Sequence, residues 1–293
     1  MTTSRAAAAR RAVASAALAA ALATAVSGCG PEPREYSTWA SLGERPMKAA
    51  PPEPEALPPL DARPWAGTVS HHLLADALID RWFSELAARR KVELFYVLTP
   101  SHWDLAGRGF AVTDGRWLVR DGSVESDRAA AAALARSLGT ELMPAAFDGE
   151  HGASTLMPYI ARYFPKAKVV AVAYRGEPPL DQPMAESLAR ALAPAFSKEG
   201  KSRDFLLISA DFAHHGDREG TSVKDERTRR FFAAPSMDTW IFAGCDNRPG
   251  IYAAARLLGP GARCAALFHS DSLALSGQDP GDITSYFFTF FWD

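Results

Sequence analysis

Val92-Glu93-Leu94-Phe95-Tyr96-Val97-Leu98 is a short apolar run that stops at Thr99-Pro100-Ser101-His102. A run of this length, rich in aromatic and branched residues and closed by a turn, reads as a buried strand. Val169–Ala173, Phe205–Ile208 and Ala265–Phe268 share its form. Helical patterns fill the gaps: Leu74, Leu78, Trp82 and Leu86 recur every fourth residue, as do Met184, Leu188 and Leu192, so each segment carries one apolar stripe. Strands that are apolar along their length and alternate with amphipathic helices require a sheet covered on both faces. The expected fold class is α/β, a single domain with a mixed, largely parallel central sheet flanked by helices.

Smaller elements complete this outline. Gly67–Ser70 reads as a short strand, and Trp117–Val119, after Asp114-Gly115, as a hairpin strand. Ser285–Trp292 is too apolar for a solvated tail and is expected to be a buried strand that closes the sheet. No internal repeat and no second domain is visible.

The N-terminus carries a different kind of signal. Arg5, Arg10 and Arg11 precede the uncharged run Ala12 to Val26, the order of an export signal, and the run falls short of the about 20 apolar residues a membrane span needs. It ends in Val26-Ser27-Gly28-Cys29, which resembles the bacterial lipobox. That resemblance implies a signal peptide over 1–29, lipidation of Cys29, and a chain anchored to a membrane of the bacterial cell envelope, facing the periplasm or the exterior. Cleavage that leaves Cys29 an ordinary thiol is the alternative. Residues 30–64 are rich in proline and are read as an extended tether, leaving 65–293 as the folded domain.

The balance of 32 basic against 34 acidic residues, with no basic stripe, argues against a nucleic-acid partner. Of the three cysteines, Cys245 and Cys264 are free to pair in an oxidising compartment or to remain two separate buried thiols.

In an open α/β sheet, ligands bind beyond the carboxyl ends of the strands. That rule makes the seven histidines informative. His71 and His72 follow Gly67–Ser70, His102 follows Val92–Leu98, Asp211, His214 and His215 follow Phe205–Ile208, and His269 follows Ala265–Phe268. His151, in the polar turn Asp148-Gly149-Glu150-His151, is placed to join the same rim. Taken singly, each histidine is an ordinary structural group; their shared position makes the joint case. Imidazole with carboxylate suits a divalent transition metal such as iron, zinc, copper or manganese, with Asp211, Glu150 or Asp271 as the carboxylate. Some of these acids would orient a ligating histidine instead. No Gly-x-Ser-x-Gly nucleophile elbow is present.

These residues resemble the Memo family, also called AmmeMemoRadiSam system protein B. Leu98-Thr99-Pro100-Ser101-His102 is similar to its Leu-Gly-Pro-Ser-His, Glu150-His151 with Met157-Pro158-Tyr159 to its Glu-His and Leu-Pro-Tyr, and Ser209-Ala210-Asp211-Phe212-Ala213-His214-His215-Gly216 to Ser-Ser-Asp-Phe-x-His-x-Gly. Cys245-Asp246-Asn247-Arg248-Pro249 is similar to its Cys-Gly-Arg-x-Pro, and Asp282-Ile283-Thr284-Ser285-Tyr286 matches near the end. The resemblance implies a fold similar to class III extradiol dioxygenases, which use non-haem iron. It implies His71, His102, Asp211 and His214 as metal ligands, with His151 beside them; in a dioxygenase reading His214 or His151 is the catalytic proton carrier. His72, His269, Glu150 and Asp271 are further candidate ligands. The family's Pro-His-Ala-Gly loop is here Ser70-His71-His72-Leu73, which leaves open which histidine faces the pocket. Some members carry a cysteine where this chain has His269-Ser270-Asp271-Ser272.

Three functions are compatible with these residues. One is a metal-dependent oxidoreductase of dioxygenase type, with iron as the first metal and copper or zinc as alternatives, acting on a small molecule. A second is a non-catalytic lipoprotein that binds a metal or a protein partner. The third is a metal-free hydrolase or peptide-binding module.

Overall fold

In a computed structural model, which describes residues 32–293 apart from 48, 49, 51, 52, 104–108, 177–181 and 278, the apolar runs are strands. The chain runs β1 (Glu35–Tyr36), β2 (Ala66–Val69), α1 (Asp76–Arg89), β3 (Leu94–Pro100), β4 (Phe110–Thr113), β5 (Arg116–Val119) and β6 (Gly122–Glu125). It continues through α2 (Arg128–Ser137), α3 (His151–Ser154), α4 (Met157–Tyr163), β7 (Lys168–Tyr174), α5 (Gln182–Leu192), α6 (Lys198–Arg203) and β8 (Asp204–Ser209). The last elements are β9 (Phe212–Gly216), α7 (Arg218–Ala233), α8 (Arg248–Leu257), β10 (Arg263–Asp271), α9 (Ser272–Ser276) and β11 (Ile283–Trp292).

An eight-stranded sheet has the order β10-β11-β2-β8-β3-β7-β4, with β9 paired to β11. Strands β2, β8, β3 and β7 are parallel, whereas β4 runs antiparallel to β7 and β11 antiparallel to β10, β2 and β9. Alternation along each strand feeds two cores. Phe95 and Val97 pack with Leu78, Trp82 and Phe83 of α1, while Tyr96 and Leu98 pack with Leu188 and Leu192 of α5. The expected α/β class and mixed sheet are therefore present.

This arrangement places the site. The connection from β2 to β3 passes through α1 over one face, and that from β7 to β8 passes through α5 over the other. Three neighbouring parallel strands, β2, β8 and β3, so open a crevice at their carboxyl ends. With neighbours about 4.8 Å apart, residues leaving these strands emerge close together.

Two expectations need correction. Strand β11 does not close the sheet: it lies inside it, between β10 and β2. A strand buried on both faces gains most where both backbone edges are also paired. The Trp117 strand is a hairpin strand as expected, β5 pairing antiparallel with β6, and it belongs to a separate three-stranded sheet, β1-β5-β6, in which β1 is parallel to β5. That sheet also overturns the tether reading of 30–64 for its described part, since the compact unit begins at Pro33. Tyr36 is buried, its hydroxyl 2.5 Å from Thr113 Oγ1 and donating to the Pro144 carbonyl at 2.9 Å. Trp39 donates to the Thr155 carbonyl, and the Glu55 N–H donates to Leu267 on edge strand β10 at 2.8 Å. Proline richness masked the aromatic side chains that dock the segment. The export signal and Cys29 lie outside the described residues, and among those described no helix is long and apolar enough to cross a membrane. Cys245 and Cys264 are both free thiols.

Candidate metal centre

Strand β2 ends at Val69 and delivers His71, 3% exposed, into the crevice, while His72 turns outward to lie against Tyr286, its Nδ1 3.2 Å from the phenol oxygen. His71 is therefore the pocket-facing member of the pair. Its tautomer follows from Ser209, at the end of β8. The Ser209 hydroxyl has one hydrogen and gives it to the Gly152 carbonyl at 2.6 Å, so at 2.9 Å from His71 Nδ1 it must accept. Nδ1 thus carries the proton and Nε2 presents a lone pair to the crevice. Burial pushes His71 down to about 3, so the ring is neutral near pH 7.

His102, after β3, is oriented by Glu150. Glu150 Oε1 lies 2.6 Å from His102 Nδ1 and accepts the Gly152 N–H at 2.9 Å, and Oε2 accepts the His102 backbone N–H at 2.9 Å. Burial would raise Glu150, but the His102 ring and these N–H groups outweigh it and hold the carboxyl below its usual range. Burial likewise opposes charging of His102, and the Glu150 contact outweighs it, raising this imidazole. With its oxygens spent on three donors, Glu150 orients a histidine, a role opposed to the candidate ligand role expected of it. Replacing Glu150 by Gln should lower metal affinity about 10- to 100-fold, as loss of such a support does; titration of the metal-free variant checks this.

His151 opens α3, half-buried, its ring 3.8 Å from that of His102 and 5.4 Å from that of His71. Burial, with His102 beside it, lowers this imidazole. Gly152 behind it is a close approach: a Cβ there would sit 2.0 Å from Thr99 Oγ1 and 3.0 Å from His102 Cε1. Gly152→Ala is expected to displace His102 and weaken metal retention, measurable by elemental analysis of the dialysed variant.

Asp211 leaves β8 with Oδ2 3.6 Å from His71 Nε2. Its Oδ1 is buried without a hydrogen-bond partner, and burial raises this carboxyl against the pull of Ser70 and the nearby histidines. His214 follows on β9, half-buried, between Ala213 and His215, whose φ values of 38° and 54° are left-handed. Such backbone in non-glycine residues costs about 1–3 kcal/mol each and clusters where a site is being shaped. Here the twist aims His214 Nε2 to 3.4 Å from Asp246 Oδ2 and sends His215 out to Asp282.

Asp246 is the residue that sequence reasoning missed. Buried after an isolated bridge between Phe212 and Cys245, it places Oδ2 3.4 Å from His71 Nε2. Only its place in the Cys245–Pro249 match pointed to it, and nothing in that pattern marks a ligand.

Two groups result, His71 with His102 and His151, and His71 with Asp211 and Asp246. Within each, the candidate ligand atoms lie within 4.8 Å of one another. The donors are imidazole nitrogen and carboxylate oxygen, and two buried carboxylate oxygens, Asp211 Oδ1 and Asp246 Oδ2, have no hydrogen-bond partner. Buried carboxyl oxygens without a partner call for a cation or a donor, so the set fits a divalent transition metal. His269 and Asp271 are not brought into either group. His269 Nε2 lies 2.8 Å from Asp225 and its ring packs on Phe287, while Asp271 caps α9 through the Ala274 N–H. His214 reaches the rim through Asp246 and belongs to neither group.

An α/β fold with a histidine and carboxylate cluster at the carboxyl ends of its parallel strands defines a candidate metal-binding protein. A model of the family described as Memo-like protein matches residues 74–233, and the chain belongs to that family. It is similar to a MEMO1 family protein of Pyrobaculum aerophilum, 25% identical over 178 residues that cover 60% of this chain and 62% of the relative. A MEMO1 family protein of Caldivirga maquilingensis is 26% identical over 149 residues, 49% of this chain and 50% of that protein. The chain thus spans about half to three fifths of the curated relatives it matches.

Proposed function

We propose that this chain is a membrane-tethered, non-haem-metal redox enzyme of dioxygenase type, with iron held by His71, His102 and Asp211 and with His151 beside them. The observation that supports it is the pair of imidazoles whose Nδ1 atoms are committed to Ser209 and Glu150, which leaves both Nε2 atoms as the available donors, that of His71 3.6 Å from Asp211 Oδ2. Bound iron(II) would supply redox chemistry and Lewis acidity to a small oxygenated substrate. The protein's own residues do the rest. Glu150 and Ser209 hold the ligand rings, and half-buried His214 and His151 are positioned to take up or release a proton. Cys29, lipidated, tethers the domain to the envelope membrane.

The test is elemental analysis of the purified chain, followed by oxygen uptake by the anaerobically iron-loaded protein with a panel of catechols and thiols. Bound iron with uptake is the expected result. Metal that stays bound without turnover returns the chain to a non-catalytic metal-binding lipoprotein, and no bound metal removes both. Cys29→Ser is expected to release the chain from the membrane fraction; continued partition there would remove the tether.

A further inference from the structure

Asp246 lies beyond the matched residues 74–233. Its carboxylate is 4% exposed and held in a fixed attitude. The Asp211 N–H donates to Oδ1 at 3.0 Å, and the Asp246 N–H donates to the Asp211 carbonyl at 3.0 Å. This reciprocal pair leaves Oδ2 aimed inward, 3.4 Å from Nε2 of both His71 and His214 and without a hydrogen-bond partner. A buried polar oxygen so placed is costly unless a donor or a cation meets it.

The two donor groups meet at His71, and Asp246 belongs to the one that holds Asp211. His71 is common to both, and its Nδ1 donates to Ser209, so Nε2 is its single available ligand atom. Without Asp246 the group with Asp211 would hold one carboxylate; with it the group holds two.

We propose that Asp246 is a direct carboxylate ligand that makes this centre prefer a divalent ion over cuprous copper. The inference rests on the metal-binding reading above. Asp211 and Asp246, with the fully buried Glu150 carboxyl beside His102, make the site acidic, so a monovalent ion leaves more buried net negative charge than a divalent one, which a low-dielectric site penalises. Donor chemistry points the same way. Carboxylate oxygen suits ferrous and manganous ions, cuprous copper favours thiolate or thioether, and among the described residues no cysteine joins either group.

The test titrates the metal-free full chain, anaerobically and against competing chelators, with ferrous, manganous and cuprous ions alone. Asp246→Asn keeps an oxygen to accept the Asp211 N–H, and Asp246→Gly removes the side chain. Both variants are expected to weaken ferrous and manganous binding about 10- to 100-fold, the scale on which supports of metal ligands act, and to leave cuprous affinity unchanged. The ratio of divalent to cuprous affinity is decisive because misfolding would lower both. If the wild type binds ions but that ratio does not move in either variant, the assignment of Asp246 is overturned and the metal reading stands. If the wild type binds none of the three ions, the metal reading itself fails.

Discussion

The double variant His71→Ala, His102→Ala is expected to emerge from purification folded and without iron, its affinity lower by well over the about 100-fold that loss of a ligand's support produces. The reason is geometric. His71 Nε2 is the one atom common to both donor groups, and His102 is the imidazole most firmly oriented, by the fully buried Glu150. The outlying histidines cannot replace them, since His72 faces Tyr286, His215 pairs with Asp282, and His269 pairs with Asp225. The variants His72→Ala, His269→Ala and Asp271→Ala are therefore expected to keep wild-type metal content. Elemental analysis and far-ultraviolet circular dichroism on the same samples separate lost ligation from lost fold. Iron retained by the double variant would place the ion elsewhere.

The largest effect on stability is expected at Trp82. This indole is fully buried in α1 against Phe83, Phe205 and Phe290, and its Nε1–H donates to the Thr289 carbonyl of β11 at 3.0 Å. It closes over Gly67 in β2, where a Cβ would come within 2.3 Å of the same carbonyl and 2.8 Å of the Trp82 ring. Glycine is required here because the helix and the neighbouring strand approach the β2 backbone so closely. Trp82→Ala removes the packed ring and leaves the Thr289 carbonyl without this donor, at a cost of about 3–5 kcal/mol. Against a domain stability of about 5–15 kcal/mol, that is enough to lower the denaturation midpoint severely. Urea unfolding at fixed temperature checks it; a cost below about 1 kcal/mol would mean that the core repacks around the loss.

Local sequence specifies what depends on neighbours along the chain. The period of Leu74 to Leu86 makes a helix, the unbroken apolar run of Val92–Leu98 makes a strand buried on both faces, and their alternation makes an α/β sheet. The placement of His102 and Asp211 just past two such strands was legible for the same reason. Other features depend on groups far apart in the chain. Which of His71 and His72 turns inward depends on Ser209, 138 residues away, and the role of Glu150 depends on His102, 48 residues away. Asp246 enters the centre because its backbone pairs with that of Asp211, and the proline-rich segment docks because Tyr36 meets Thr113 across a small sheet. Burial and hydrogen-bond direction are properties of the packed assembly. Tertiary structure alone therefore decided which acids orient and which meet the ion, whereas periodicity along the chain had already determined the architecture that brings them together.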